Sequence, residues 1–329
     1  MMKKALFLLI NCCVTAMLFS QSEMTKYTIV ENKADRKVDI LANGKIFTSY
    51  IYPTSLKKPV LYPIRTSAGT PITRGWPMDP RPNERADHPH HVGLWFNYGN
   101  VNGYDFWNNS DSIAEDKKQG YGTIVHRRIN KITQGGDHAA LDVSMDWQDP
   151  NGKNLLRQNT CYDFSGTGNE RVINLTIQLT ALNQDVFFKD SKEGLLGMRM
   201  ARELELPSLI PERYTDANGN VTDVPILNNE GVSGNYISST GKQGDSVWAT
   251  RAEWVKLTGK IKEEKISVTI FDDPGNVGYP TYWHARGYGL FAANPLGQSA
   301  LSNGKEALNF TLRSGKSITF RYKIAILSE

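Results

Sequence analysis

The chain has 329 residues, 22% of them charged, with 38 Lys and Arg against 34 Asp and Glu for a formal charge of +4. The basic residues are dispersed, no block being longer than Lys57-Lys58 or Arg127-Arg128, so the clustered footprint of a nucleic-acid-binding protein is absent. There is no Gly-rich phosphate cradle, G-x-S-x-G elbow, H-E-x-x-H or CxxC pair, which removes the usual signatures of nucleotide-binding proteins, α/β-hydrolases, zincins and thioredoxin-like enzymes.

Lys3 and Lys4 precede an apolar run from Ala5 to Phe19, and Ser20-Gln21 offers a small-residue cleavage point. The pattern predicts a signal peptide over 1–20, too short for a membrane span, and an exported protein, periplasmic or secreted, with no integral membrane segment after cleavage. Cys12 follows Leu9-Ile10-Asn11, a poor fit to a lipoprotein site. After cleavage Cys161 is the remaining cysteine, so the expected fold rests on a hydrophobic core without a disulfide, and Cys161 itself reads as a buried structural thiol.

From Tyr27 onward short alternating segments predict strands. They are 27–31, 37–41, 46–50, 60–64, 122–129, 139–147, 157–164 and 171–180, then 252–258, 265–271, 308–312 and 317–326. Ala42-Asn43-Gly44-Lys45 reads as a hairpin turn and Asp149-Pro150-Asn151-Gly152 as another. Residues 66–87 and 213–242 are long loops rich in Gly, Pro and Asn, the second a possible lid. Leu195 to Leu206 suits a strand or a helix; its strand neighbours favour a strand, which places Arg199 and Glu203 on one face. Turns every eight to twelve residues and no convincing long helix predict an all-β fold, a large two-sheet β-sandwich formed by residues 21–329 as one domain.

Chemistry concentrates at Asp87-His88-Pro89-His90-His91 and the residues through Trp107, where three of the six histidines fall within four positions. His88, His90 and His91 suit proton transfer or hydrogen bonding, or packing of a loop; Pro89 keeps them at a strand edge or in a loop. His284, between Trp283 and Arg286, is the distant histidine to join them. Glu203 is the preferred base and Arg199 its cation, with a structural salt bridge as the alternative; Glu193, Glu205, Asp87 and Asp105 are weaker carboxylates. Arg199, Arg286, Asn97, Asn102, Asp105, Trp107 and Tyr282 are the expected substrate-binding groups, aromatics and amides suiting a hydroxyl-rich ligand. No cofactor is expected, although a transition metal held by His88, His90 and His284 is a further possibility.

The segments Asp87-His88-Pro89-His90-His91-x-Gly93-Leu94-Trp95, Val101-Asn102-Gly103-x-Asp105-Phe106-Trp107 and His284-x-Arg286-x-Tyr288-Gly289-Leu290-Phe291-Ala292-Ala293-Asn294-Pro295 resemble a bacterial family labelled "methane oxygenase PmoA". The likeness covers nearly all of the chain beyond the leader. Its setting among polysaccharide-degrading bacteria implies carbohydrate metabolism, and its β-rich pattern is similar to the galactose mutarotase-like sandwich of aldose epimerases. The expected function is an exported carbohydrate-processing protein using His/Glu acid–base chemistry of epimerase, lyase or hydrolase type. The alternatives are a non-catalytic carbohydrate-binding protein and an exported copper or zinc protein.

Overall fold

Two antiparallel sheets of eight strands each carry the chain. The structure is a computed structural model and describes residues 24–329; the predicted signal peptide, with Cys12, lies outside the described residues. The strands begin with β1 (Tyr27–Asn32), β2 (Lys37–Ala42), β3 (Lys45–Ile51), β4 (Val60–Leu61) and β5 (Leu94–Tyr98). Next come β6 (Thr123–Gln134), β7 (Ala139–Gln148), β8 (Asn154–Ser165), β9 (Glu170–Ala181), β10 (Val186–Phe187) and β11 (Gly194–Arg199). The last are β12 (Asn235–Ser238), β13 (Trp254–Ile261), β14 (Glu264–Asp272), β15 (Tyr282–Arg286), β16 (Leu290–Asn294), β17 (Thr311–Leu312) and β18 (Ser317–Ser328), with one short helix, α1 (Gln298–Ser302), between β16 and β17.

One sheet has the order β1-β2-β3-β4-β5-β11-β16-β15, the other β12-β13-β14-β18-β9-β8-β7-β6, and β10 pairs with β17. The expected β-sandwich is therefore the observed architecture. The turn between β2 and β3 has Asn43 and Gly44 both at positive φ, 51° and 75°, the backbone that a two-residue hairpin needs to match the strand twist. The strands expected over 252–258 and 265–271 form a hairpin, in which β13 runs on to Ile261 and turns at Lys262-Glu263.

Alternation assigns the faces. Leu94, Phe96 and Tyr98 of β5 enter the main core, where Phe96 meets Trp147 and Phe320 of the opposite sheet at ring-centroid distances of 6.4 and 5.7 Å. Each such fully buried apolar side chain contributes roughly 1.5–3 kcal/mol. Trp95, between them in sequence, turns to the other face and joins Val60, Tyr62, Val92, Trp107, Leu290 and Ala292 in a second, smaller apolar cluster. That outer face, roofed by the chain between β4 and β5 and by the segment after β11, holds most of the chemically reactive side chains. Gly93 sets its approach: at φ +59°, a Cβ there would lie 2.2 Å from the Leu61 carbonyl oxygen. Gly93→Ala is expected to lower the thermal midpoint by several degrees, through left-handed strain and loss of the β4–β5 contact; an unchanged midpoint would show that the strand entry adapts.

Two expectations are corrected, and one segment is defined further. The strand across Leu195–Leu206 stops at Arg199, and Arg202–Leu204 forms a 3-10 turn, because Glu205 is drawn into a buried group of arginines. The segment Tyr282–Pro295 is a hairpin of β15 and β16, turning at Gly287-Tyr288-Gly289. The second long loop contains β12, whose polar sequence concealed it although Tyr236 and Ser238 are buried. Cys161 is free and only half-buried on β8; burial and the neighbouring Asp142 push its thiol up to about 12, so it is inert as a nucleophile.

Candidate functional site

On the outer face of the first sheet, strand register places Trp95 opposite Gly197, Gly197 opposite Ala292, and Ala292 opposite His284. The two small residues in the middle let large side chains lie over the sheet. A Cβ on Gly197 would sit 2.6 Å from the Trp95 ring, so the indole lies directly on this glycine. Gly197→Ala is expected to displace the indole, alter Trp fluorescence and cost about 1–3 kcal/mol by overpacking; unchanged emission and stability would contradict this placement.

Above this floor the histidine segment folds as a tight turn. His88 has φ +46°, and its carbonyl accepts from the His91 backbone N–H at 2.9 Å. Four rings stack nearly parallel: Tyr288 on His88 at 5.1 Å and 6°, His88 on His91 at 4.8 Å and 5°, and His91 on Trp95 at 5.1 Å and 15°. Trp107 meets His91 and Trp95 edge-on, and His90 meets His91 edge-on at 4.4 Å. Of the three histidines only His88 is substantially open to solvent, its side chain 41% exposed.

Buried charge holds the turn in place. The fully buried Arg74 guanidinium donates to the carbonyls of Arg85, Asp87, His88 and His91 and to Asp87 Oδ1 at 2.6 Å. Arg199, also fully buried, donates to the same Asp87 oxygen at 2.5 Å and to His91 Nδ1 at 3.3 Å, and its guanidinium lies 4.9 Å from the Tyr288 ring centre. Burial alone would raise the Asp87 carboxyl, but Arg199, His88 and Arg74 outweigh it and hold the group well below the usual carboxylate range. Its other oxygen, Oδ2, is 3.0 Å from His88 Nδ1. An imidazole with a carboxylate on Nδ1 is fixed in the tautomer that leaves Nε2 as the working nitrogen.

Burial holds His90, His91 and His284 neutral. Burial, then the charges of His90 and Arg199, push His91 far down; burial and Lys58 push His90 down to about 2. His284 donates from Nδ1 to the Lys192 carbonyl at 2.9 Å, and burial, then Lys192, bring it down to about 3. Glu193 stands 3.9 Å from His284, and burial raises its carboxyl, partly offset by Lys192. Lys58, buried and brought to about 7 by desolvation, donates to the His90 carbonyl at 2.7 Å.

The site residues expected from sequence fall into two groups. His88, His90, His91, His284, Arg199 and Trp107 converge as described. Arg286 lies beside them, its guanidinium 5.0 Å from the Trp248 ring centre and 5.9 Å from that of Tyr288. It lines a cleft of about 620 Å³ that also includes Arg85, Asp245, Trp248 and Tyr288. The others bond elsewhere in the fold. Asn97 is buried, donating to the Phe106 carbonyl; Asp105 caps the turn at Trp107 and Asn108; Asn102 bonds to Asp185 and Phe187 on a separate surface; Tyr282 bonds Glu306 beside Arg251.

Glu203 is the clearest correction: half-buried in the 3-10 turn, its side chain makes no ion pair with Arg199. The carboxylate two residues on takes that place. Glu205 is fully buried within 3.2 Å of Arg85, 3.3 Å of Arg202 and 3.9 Å of Arg199. Sequence reading missed Arg74, Lys58, Trp248 and Tyr288, since single residues in irregular loops carry no periodic signal; Tyr288 lay inside a segment already singled out. Among the described residues no three His, Cys, Asp or Glu side chains converge as metal ligands. No described helix is long and apolar enough to cross a membrane.

A family model described as "Family of unknown function (DUF6807)" matches residues 37–329; none of the findings carries the methane-oxygenase label. No curated protein sequence matches the chain. Among solved structures it is similar to galactose 1-epimerase from Lactobacillus acidophilus NCFM, with 11% identity, 93% of this chain and 98% of that one covered, and a TM-score of 0.36. It is similar too to the GalM/aldose epimerase homologue from C. elegans, with 10% identity, 93% and 99% covered, and a TM-score of 0.31. With the galactosidase domain of the alpha-galactosidase-sucrose kinase AgaSK it shares 9% identity and a TM-score of 0.39, over 92% of this chain but only 42% of that one.

Proposed function

The chain belongs to the DUF6807 family of unknown function, and from that premise we propose that it is an exported enzyme transferring protons at a carbohydrate or sugar derivative, with His88 as the base. The observation that carries this reading is the Asp87–His88 pair. A carboxylate anchored by two buried arginines orients Nδ1 of the one exposed imidazole in the cluster, an arrangement suited to general acid–base work. Glu193, 3.9 Å from His284 and with a carboxyl raised by burial, is the second proton-transfer group and replaces Glu203 in that role. The adjoining cleft, with Trp248, Tyr288 and Arg286, has the size and the mixed aromatic and polar lining of a small-ligand site. Export rests on the leader-like pattern of residues 1–20.

His88→Gln keeps the size and one polar end of the side chain but cannot relay a proton. A screen of aldoses, aldonates and uronates is expected to reveal turnover in the wild type and a loss of about 100-fold or more in the variant, with circular dichroism unchanged. Equal turnover in both would refute the assignment of the base. Sugar binding without turnover in the wild type would replace the enzyme with a sugar-binding protein.

A further inference from the structure

Six buried side-chain nitrogens of this cluster have no partner, and besides Arg74 Nε, Arg199 Nε and His90 Nε2 they include three on neighbouring rings at its centre. Because Arg199 is donor-only, His91 Nδ1 accepts from it, and the ring proton must sit on Nε2. His91 Nε2, Trp95 Nε1 and Trp107 Nε1 are all buried without a hydrogen-bond partner, and the three residues are 1–2% exposed. Their rings are mutual neighbours, with centroids 5.1, 5.6 and 5.3 Å apart. Lys58 Nζ lies 5.5 Å from the Trp95 ring centre. An orphaned acceptor on the same strand, Asn97 Oδ1, bonds to none of them. An unsatisfied buried donor is costly, and three together, beside a lysine and backed by Arg199, form surroundings that accept a group with oxygen acceptors, negative charge and no proton to donate.

We infer that the ligand of this site carries a carboxylate, as a uronic or aldonic acid does, and that the carboxylate accepts from the N–H groups of His91, Trp95 and Trp107. The inference rests on the reading of this site as sugar-binding and names the substrate class. His88 stacks on the face of His91 and keeps its pairing with Asp87.

The test titrates the full chain with glucuronate, galacturonate, glucose, galactose and acetate, following Trp emission and heat. The expected result is binding of at least one uronate at least tenfold tighter than its neutral counterpart and than acetate. Trp107→Phe, which keeps an aromatic ring but removes one N–H, is expected to weaken uronate binding at least tenfold without changing the thermal midpoint by more than a few degrees. Neutral sugars bound as tightly as uronates, no binding of either uronate, or full uronate affinity in Trp107→Phe would each overturn the inference. Acetate bound as tightly as a uronate would make this a free-anion site and overturn the substrate class. None of these outcomes bears on the base, which stands or falls with turnover by His88→Gln.

Discussion

Asp87→Asn is expected to destabilise the protein by about 3–5 kcal/mol, the usual loss when one partner of a buried ion pair is removed. Arg74 and Arg199 are both fully buried and both donate to the same Asp87 oxygen. An amide in its place leaves two guanidinium charges in the interior with no anion between them except Glu205, 3.9 Å from Arg199 and already shared with Arg85 and Arg202. Because Arg74 also binds the carbonyls of Asp87, His88 and His91, its displacement would loosen the turn that carries all three histidines. Urea unfolding measures the loss. The double variant Asp87→Asn/Arg199→Met removes one of the stranded charges and is expected to recover part of it. A loss below about 1 kcal/mol, the range of exposed pairs, would mean that water reaches this network.

Stability is expected to fall steeply as the pH drops below about 6.5. His90, His91 and His284 have folded-state values far below the ordinary histidine range. The unfolded chain therefore binds more protons below about pH 6.5, and the stability these groups confer is complete above that pH and lost as it falls. Each buried imidazole contributes a slope of about 1.4 kcal/mol per pH unit, and with the half-buried His126, brought down to about 4 by burial, the four give about 5.5. Asp87, held low by Arg199, adds to the loss below about pH 4. Glu193 and Glu205, raised by burial, act in the opposite direction near the carboxylate range and soften the slope. Against a total stability of about 5–15 kcal/mol, the histidine terms are enough to unfold the protein between roughly pH 4 and 5.5. Near-UV circular dichroism against pH locates the transition, and His284→Gln is expected to reduce the slope by about one quarter. Constant stability from pH 7 to 5 would contradict the neutral, buried state of these rings.

The strands were legible because each half-buried segment alternates. From Ile173 to Ala181 every second residue of β9 is buried, with Thr176 and Gln178 exposed between them, and the Asn43-Gly44 turn states its own geometry. The site was legible as a segment but not as a set of roles. Three histidines within four residues announced chemistry, yet their sequence did not separate the exposed, Asp-paired His88 from the buried His90 and His91, since that difference arises from Arg74 and Arg199 arriving from loops and strands far away. Glu203 and Glu205 show the same limit. Two residues apart on one strand face, Glu203 read as the preferred base and Glu205 as a weaker candidate; the chain leaves the strand at Arg199, and burial among arginines then selects Glu205 for structure and leaves Glu203 at the edge. Asn102 and Tyr282 lay in the right segments but point into other networks, which only tertiary register decides.

Solvent-exchange proton NMR tests the central claim most directly. Wild type and His88→Gln are each incubated in D2O with a panel of aldoses, aldonates and uronates, and the sugar resonances are followed over time. The account predicts that the wild type accelerates interconversion, elimination or carbon-bound deuterium exchange in at least one member, and that His88→Gln loses this by about 100-fold or more. Spectra that evolve at the uncatalysed rate with the wild type, or identically with both proteins, would contradict it.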